Sequence, residues 1–371
     1  MRSDGLGVEF MGLVRPSGLS LYFRQATNNL YQAGVNMHKD ARLLVPGRAL
    51  LCQRLLDSAW LRCVVRGASR KMNNDIPCDS LGMNPEPEQR LPDQSPGRSS
   101  LARLQQVLVI GAIALTLLWM LWMWSRSSIL LVAGLVLLTL GHAVILGIET
   151  MVAAIFNRAD NTPQASAAEW VRAWWQEVKV APQIFAWQQP FRWRRLPDPS
   201  TAPPTALPAV VFIHGFFCNR GFWLSWMERL QSQGFPYVSV NLEPIFGSID
   251  DYAEIVDAAV TRATALTGQV PTLICHSMGG LAARAWLAAA PDAASRVHKI
   301  ITIGTPHRGT SLARFSHVAN GRQMRRDCDW QHRLMERELE LHPRRNAELF
   351  VCWYSNTDNI VFPASTATLP G

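Results

Sequence analysis

One serine lies where its hydroxyl group would be placed for nucleophilic attack. Residues 272–287, TLICHSMGGLAARAWL, change from a β-branched and apolar run to an alanine- and leucine-rich run around Ser277. The change predicts a strand up to Ile274, a sharp turn and a helix, a corner that lifts the hydroxyl out of the edge of a sheet. This corner favours small residues two positions before and after the serine, and Gly279 meets that need whereas Cys275 meets it only approximately. A serine at an ordinary structural turn is the alternative.

The elements that would position this serine are short strands alternating with helices. In the C-terminal half, apolar runs are separated by helical patterns that include residues 251–266 and 281–290. The apolar runs are ALPAVVFIHG, PYVSVNL, TLICHS, KIITIGTP and LFVCWYS. Their alternation predicts an α/β fold with a parallel sheet covered by helices on both faces. Asp250 and Asp251 are then expected to cap helix 251–266, and Glu243 to lie in a loop.

Four motifs occur in the order found in α/β-hydrolases of the bacterial lipase type, which this part of the chain resembles. The motifs are IHGFF at 213–217, CHSMGG at 275–280, IGTPHRGT at 303–310 and YSNTDNIVFP at 354–363. The resemblance covers residues 208–371, and it extends more loosely to the preceding apolar and Trp-rich segments, as in membrane-anchored triacylglycerol lipases and esterases of bacteria. It implies a doubly wound, mostly parallel sheet.

The resemblance also implies roles for individual residues. Ser277 would be the nucleophile that forms an acyl-enzyme. The backbone N–H groups of Met278 and Phe216 would bind the oxyanion of the tetrahedral intermediate. Asp358, after the last strand, would orient and stabilise a catalytic imidazolium, and a turn aspartate is the alternative reading.

The expected general base is missing from the chain. In these hydrolases the histidine follows the acid, yet the thirteen residues after Asp358 include no histidine. Two explanations remain, truncation before the last histidine and a hydrolase fold that has lost activity, and we expect truncation. His307 as a substitute base would need a new geometry, while His214 and His276 are expected to satisfy backbone groups and to pack, respectively.

Residues 311–345 occupy the position where such lipases place lid or acyl-binding helices. Several apolar side chains in this segment are candidates for lining an acyl channel, and ordinary core packing is the alternative. The candidates are Met324, Trp330, Leu334, Met335 and Leu339.

Two long apolar runs predict a transmembrane helical hairpin. Residues 107–124 and 129–148 carry no charged side chain, and each is long enough to cross a hydrocarbon layer about 30 Å thick. Only residues 125–128 separate them, so the two helices must be antiparallel neighbours. Buried core helices are the alternative, but neither run has the polar face that such helices usually show.

Charged residues around this hairpin predict its orientation. Its turn contains only Arg126, whereas Arg98, Arg103, Arg158 and Arg172 lie on the outer flanks. The positive-inside rule therefore favours both flanks, and with them the hydrolase domain, on the cytoplasmic side. The resemblance to bacterial lipases implies that the membrane is a bacterial-type inner membrane. The seven cysteines have no metal-ligand spacing and suit reduced thiols in the cytoplasm.

Composition and spacing divide the chain into four parts. Residues 1–100 are expected to be a mostly disordered extension, residues 101–155 the hairpin, and residues 208–371 an α/β-hydrolase domain that lacks its C-terminal end. Residues 156–207 interleave tryptophan with arginine, which predicts a segment at the lipid headgroups, or packing against the following domain. The net charge of +8 favours an anionic lipid surface over nucleic acid, or simply solubility.

These features predict a membrane-anchored serine hydrolase that acts on carboxylic esters of lipidic or medium-chain acids. Its partners would be the membrane and a lipid or ester substrate, with no metal, no organic cofactor and no nucleic acid. The alternatives are an acyl thioesterase or lipid deacylase, and a non-catalytic protein with a hydrolase fold. The sequence makes no prediction of oligomeric state.

Overall fold

The computed structural model describes residues 98–201, 207–342 and 346–369. The predicted disordered extension therefore lies outside the described residues, apart from its last three positions.

The centre of the molecule is a sheet of five parallel strands in the order β2-β1-β3-β4-β5. The strands are β1 (Val210–Ile213), β2 (Tyr237–Ser239), β3 (Thr272–His276), β4 (Lys299–Ile303) and β5 (Phe350–Trp353). β3 pairs with β1 and β4 on either side, so that Cys275 lies opposite Ile213 and Thr302. Because all the strands run in one direction, the segments that follow them meet at a single edge, the carboxyl edge.

Helices cover both faces of this sheet and create two hydrophobic cores. Successive residues of β1 point to opposite faces: Val211 joins the larger core and Phe212 the smaller one. The larger core lies under α5 (Tyr252–Thr267), α6 (Met278–Leu287) and α8 (Asp329–Leu341), and the smaller under α4 (Leu224–Ser232). The short helices α7 (Ala319–Gln323) and α9 (Asn346–Leu349) and the 3₁₀ turns Arg220–Trp223, Ala293–Ser295, Ser311–Phe315 and Ala364–Ala367 complete the connections. The predicted α/β fold with a parallel sheet is thus confirmed.

Two long helices precede the sheet and form an antiparallel pair. They are α1 (Ser100–Met123) and α2 (Ser128–Asn157), capped by the side chains of Ser99 and Ser127. Both are long and apolar enough to cross a membrane, and most of their large apolar side chains are exposed.

A second helical element lies along this pair, and we call it the short hairpin because both of its ends lie near the base of the long one: Gln164 donates to the Asn157 carbonyl and Gln189 accepts from the Asn219 N–H. α3 (Ala167–Ala181) begins at a capping box formed by Ser166 and Glu169 and continues into a π-helical segment, Pro182–Arg192. The Trp174 indole N–H donates to the Ala143 carbonyl of α2 at 2.8 Å, so α3 packs on α2 rather than on the hydrolase domain. The Gln106 side chain of α1 donates to the Pro190 carbonyl at 2.6 Å, which places the π-helical segment beside α1.

One local expectation was wrong, and another was confirmed for the position of the residue but not for its side chain. α6 begins at Met278 rather than after the glycines, so Gly279 and Gly280 form its first turn. Their missing side chains allow the backbone of Ile213 and His214 and the side chain of Thr305 to pack closely against that turn. Asp251 stands at the N-cap of α5, but its side chain accepts from the Ser248 N–H instead of capping the helix.

Candidate active site

Ser277 connects β3 to α6 in a backbone conformation that is rare for a residue with a side chain. Its φ is 54° and its ψ is −127°, which costs about 1–3 kcal/mol unless the surroundings enforce it. The enforcement is visible on both sides of the residue. The Ser277 N–H donates to the Ile303 carbonyl at 2.9 Å, and the Ser277 carbonyl accepts from the Thr305 hydroxyl at 2.8 Å. The end of β4 therefore fixes the corner, and only 5% of the serine surface is exposed.

Two glycines allow the chain to pass close to this corner. A Cβ atom on Gly215 would lie 2.7 Å from the Ser277 Cβ atom. A Cβ atom on Gly279 would lie 2.6 Å from the carbonyl oxygens of Ile213 and His214. Distances below 3.0 Å are not tolerated without movement, so both positions require glycine.

Cys275, two residues before the serine, is accommodated because it points into the larger core. Its side chain is fully buried, and burial raises the pKa of its thiol. The glycine usually found at this position is therefore not a steric requirement here.

The two predicted oxyanion donors adjoin Ser277 in different ways, Met278 along the chain and Phe216 through its neighbour Gly215. Met278 is the first residue of α6, so its N–H has no intrahelical acceptor four residues earlier. Phe216 follows Gly215, the residue that presses against Ser277. The Phe216 ring contacts the rings of Phe217 and Phe246 at centroid distances of 6.4 and 5.9 Å, which gives this part of the site an aromatic wall.

Asp358 lies in the loop after β5, at the same carboxyl edge. One of its carboxylate oxygens accepts from the N–H groups of Ile360 and Val361, both at 2.9 Å. The strand ends are also linked, because the Gly304 N–H after β4 donates to the Trp353 carbonyl of β5 at 2.7 Å. The structure thus brings Ser277, Phe216, Met278 and Asp358 to one edge of the sheet.

The histidines near the motifs have structural roles. His214 accepts the Leu242 N–H at Nε2 and donates from Nδ1 to the Gly215 carbonyl, as expected for a residue that satisfies backbone groups. His276 stacks on Phe222 with ring centroids 4.2 Å apart, in agreement with a packing role. His307 bonds to the Thr302 hydroxyl in the middle of β4, and burial lowers the pKa of its imidazole well below the usual value. The Thr302 contact orients His307 toward the sheet.

The expectation of an acyl channel was wrong for three of its residues. Met324, Trp330 and Leu334 are buried in the larger core. α8 is also bound to α6, since Glu338 and Arg284 form a buried ion pair at 2.6 Å and Arg284 donates to the His307 carbonyl. Met335 is half-buried and Leu339 is exposed. Helical spacing alone did not distinguish a core face from a ligand-binding face.

Sequence reasoning missed the contacts between the loops at this edge and the base of the long hairpin. Asn157, the last residue of α2, donates to the Asn356 carbonyl at 3.1 Å and accepts from the Ala364 N–H at 3.0 Å. Asp160 accepts from the Ser365 N–H at 2.9 Å. The loop that contains Asp358 is therefore held on both flanks by the end of α2.

The other helix of the hairpin contacts the opposite side of the site. Glu243, in the loop after β2, accepts from both the N–H and the hydroxyl of Ser100 at the start of α1. The Asn219 side chain, three residues after Phe216, donates to Ser99 at 3.5 Å. No sequence signal pairs these residues, because each pair joins polar groups more than a hundred positions apart.

Within the described residues, no group of three or more His, Cys, Asp or Glu side chains is placed to hold a metal ion.

Comparison with known proteins identifies relatives of the sheet-containing region. Residues 210–361 match the model of the alpha/beta hydrolase family. The chain is 37% identical over 116 residues to a triacylglycerol lipase of Pseudarthrobacter phenanthrenivorans and to one of Burkholderia plantarii. These alignments cover 29% of this chain and 35% and 31% of the relatives, so the chain spans about a third of their length. Among solved structures, the mature form of a Bacillus licheniformis lipase matches with 20% identity and a TM-score of 0.36, over 43% of this chain and 68% of that one.

Proposed function

Because residues 210–361 form an α/β-hydrolase domain of the lipase and esterase type, we propose that the protein hydrolyses carboxylic esters with Ser277 as the nucleophile. One observation carries the proposal: Ser277 has a strained backbone at the end of β3, with the chain at Gly215 packed directly against it. Strain of this kind persists at functional sites because the neighbouring structure enforces it.

In the proposed mechanism, Ser277 Oγ attacks the ester carbonyl carbon and its proton passes to a general base. The carbonyl oxygen becomes an oxyanion, which accepts hydrogen bonds from the N–H groups of Met278 and Phe216. Collapse of this intermediate releases the alcohol and leaves an acyl-enzyme, which water then hydrolyses. Asp358 would hold the protonated base in place, and we assign no base among the described residues.

We further propose that α1 and α2 anchor the domain in a membrane and that the substrate is a lipidic ester. Two helices of sufficient length and apolarity support the anchor. The aromatic wall formed by Phe216, Phe217 and Phe246 supports an apolar acyl group next to the oxyanion site. An anchor raises the local concentration of membrane-borne substrate at the site. The flanking arginines favour a cytoplasmic domain at an inner membrane.

The proposal is tested by labelling the protein, expressed from its complete gene, with a fluorophosphonate probe and by assaying p-nitrophenyl esters of graded chain length. Ser277→Ala should abolish labelling and lower kcat by about 10⁶-fold, because the nucleophile is lost. Ser232→Ala, at the exposed end of α4, should leave both unchanged. Acyl thioesters assayed in parallel distinguish an ester hydrolase from the alternative, an acyl thioesterase.

Each other outcome contradicts a defined part of the proposal. Labelling that persists in Ser277→Ala would show that Ser277 is not the nucleophile. Labelling at Ser277 with turnover of thioesters alone would favour the acyl thioesterase. A protein that is neither labelled nor active would favour a non-catalytic hydrolase fold.

A further inference from the structure

The short hairpin formed by α3 and the π-helical segment runs along the long hairpin without reaching its tip. The Val178 carbonyl, near the end of α3, accepts from the His142 imidazole in the middle of α2 at 3.2 Å. The π-helical segment returns along α1 to the contact between Pro190 and Gln106. We propose that this short hairpin is a re-entrant element, inserted into the hydrocarbon layer from the side of the hydrolase domain and leaving it on the same side. This inference rests on the membrane anchor proposed above.

Helix lengths place the boundary of the hydrocarbon layer. The turn at the tip contains Arg126 between two serines, so it must lie beyond the far side of the layer. Counted from the tip, the first charged residues are Arg103 on α1 and Glu149 on α2. Each lies 21 positions from its end of the turn, Trp124 or Ser128, which corresponds to about 31 Å along a helix and matches a layer about 30 Å thick.

The same count places the middle of the short hairpin inside the layer. His142 lies seven positions closer to the tip than Glu149, or about 10 Å within the boundary. Its partner Val178 lies at the same depth. The helical chain continues through Ala181 and Pro182, and by Gln189 it is back at the carboxyl edge, where the Gln189 side chain accepts from the Asn219 N–H at 2.8 Å. A layer of ordinary thickness cannot contain the long hairpin without also containing the end of the short one.

The side chains of the short hairpin fit this position. Several large apolar residues on it are exposed, which would be costly in water: Val171, Trp175, Phe185, Trp187 and Phe191. Tryptophan and arginine together are typical of the membrane interface, and the Arg192 guanidinium lies over the Trp187 ring at 5.9 Å. Because the Cα–Cβ bonds of a helix tilt toward its N-terminus, the side chains of Glu177 and Lys179 would extend toward the headgroups.

The boundary also defines the position of the catalytic edge. Glu149, at the boundary, accepts from the Asn359 side chain at 3.2 Å, and Asn359 follows Asp358 directly. The loop that contains Asp358 is thus at the membrane surface, where the ester groups of membrane lipids lie.

Quenching by brominated lipids tests the depth of the short hairpin. A fluorophore such as NBD is attached at Phe185→Cys in the full chain, in nanodiscs that contain lipids brominated in the middle of the acyl chain. Val136→Cys, exposed in the middle of α2, is the membrane reference. Leu339→Cys is the matched aqueous control: Leu339 is exposed near the end of α8, where His342 bonds to the last residue of α6, away from the catalytic edge. The unsubstituted protein, labelled in parallel, gives the background of the natural cysteines.

Labels at residues 136 and 185 are expected to lose about half of their fluorescence to hydrocarbon quenchers, and the label at residue 339 to lose almost none. Quenching at 136 with none at 185 would overturn the re-entrant hairpin and leave the anchor in place. No quenching at 136 would overturn the anchor and this inference with it. Should Phe185→Cys fail to fold, Trp187→Cys reports on the same exposed side of the segment.

Discussion

At the scale of single residues, the site depends on how closely backbone segments approach one another. Gly215 and Gly279 have no room for a side chain, because β1, the following loop and the start of α6 converge on Ser277. These glycines determine the position of the serine as directly as the strand that precedes it. A substitution at either should affect catalysis without touching a reacting atom.

Gly215→Ala should lower kcat/KM by about 100-fold, the cost of moving a reacting group by about 1 Å. Its new Cβ atom would begin 2.7 Å from the Ser277 Cβ atom and 3.1 Å from the His276 carbonyl oxygen, so the corner must shift. Ester hydrolysis measured at several substrate concentrations gives the change. Gly111→Ala, with nothing within 4 Å of its Cβ atom, is the control and should have normal activity. Normal activity of Gly215→Ala would contradict the close approach.

Buried histidines make the stability of the domain sensitive to acid. Burial lowers the pKa of His214 from 6.5 to about 4, because the charged imidazolium cannot be solvated there. Above pH 6.5, the folded and unfolded states both contain neutral histidine. Between pH 6.5 and 4 only the unfolded state binds the proton, so the free energy of unfolding falls as the pH falls.

His214 should therefore lower the free energy of unfolding by about 2 kcal/mol between pH 7 and pH 5. His214→Gln should remove this contribution, although the variant is less stable at pH 7 because the Leu242 N–H loses its present acceptor. Thermal unfolding at the two pH values measures the difference. His332→Gln, at an exposed position of α8, should keep the full pH dependence. An unchanged pH dependence in His214→Gln would show that the pKa of this imidazole is the same in the folded and unfolded states.

At the scale of elements, the end of α2 and the loop that contains Asp358 form one unit. Asn157, Asp160 and Glu149 each bond to that loop, and the Asn356 side chain donates to the Pro163 carbonyl in return. Asp358 can orient a base only if this loop is fixed. The contacts therefore extend the site to a helix that precedes the hydrolase domain in the sequence.

Asn157→Ala should lower kcat more than it changes KM, because the loop position would be altered while the substrate-binding surfaces are not. The variant also removes two hydrogen bonds at a buried position, which should reduce the free energy of unfolding by about 1–3 kcal/mol. Steady-state kinetics and thermal unfolding check the two effects. Asn161→Ala, exposed in the following turn, is the matched control. An equal loss of stability with unchanged kcat would show that Asn157 is structural only.

The sequence was sufficient for the sheet and for the corner at Ser277, because both depend on local signals. β-branched runs, a helix-forming run and two glycines identify a strand, a turn and a helix over sixteen residues. Contacts such as those of Asn157 with Ala364, or Glu243 with Ser100, depend on the packing of distant segments and have no local signal. For the same reason, the sequence left Met324 and Trp330 as candidates for either an acyl channel or the core, and the structure places them in the core.

At the scale of the whole molecule, the long hairpin contacts the same edge of the sheet as the residues proposed to be catalytic. Ser99 and Ser100 contact the loops after β1 and β2, and Asn157 contacts the loop after β5, all at the carboxyl edge. A membrane that holds the hairpin would therefore lie directly against the entrance to the site. The amino edge, with the end of α6, would face the aqueous phase.

The attachment of Asn157 to both flanks of the Asp358 loop has a consequence for any shed form of the protein. A protease that cut the chain between α2 and β1 would separate the domain from the long hairpin. The domain would then lose the contacts that hold the loop of Asp358, the carboxylate proposed to orient the base. Under the proposed function, release from the membrane should therefore inactivate the hydrolase rather than yield a soluble active form.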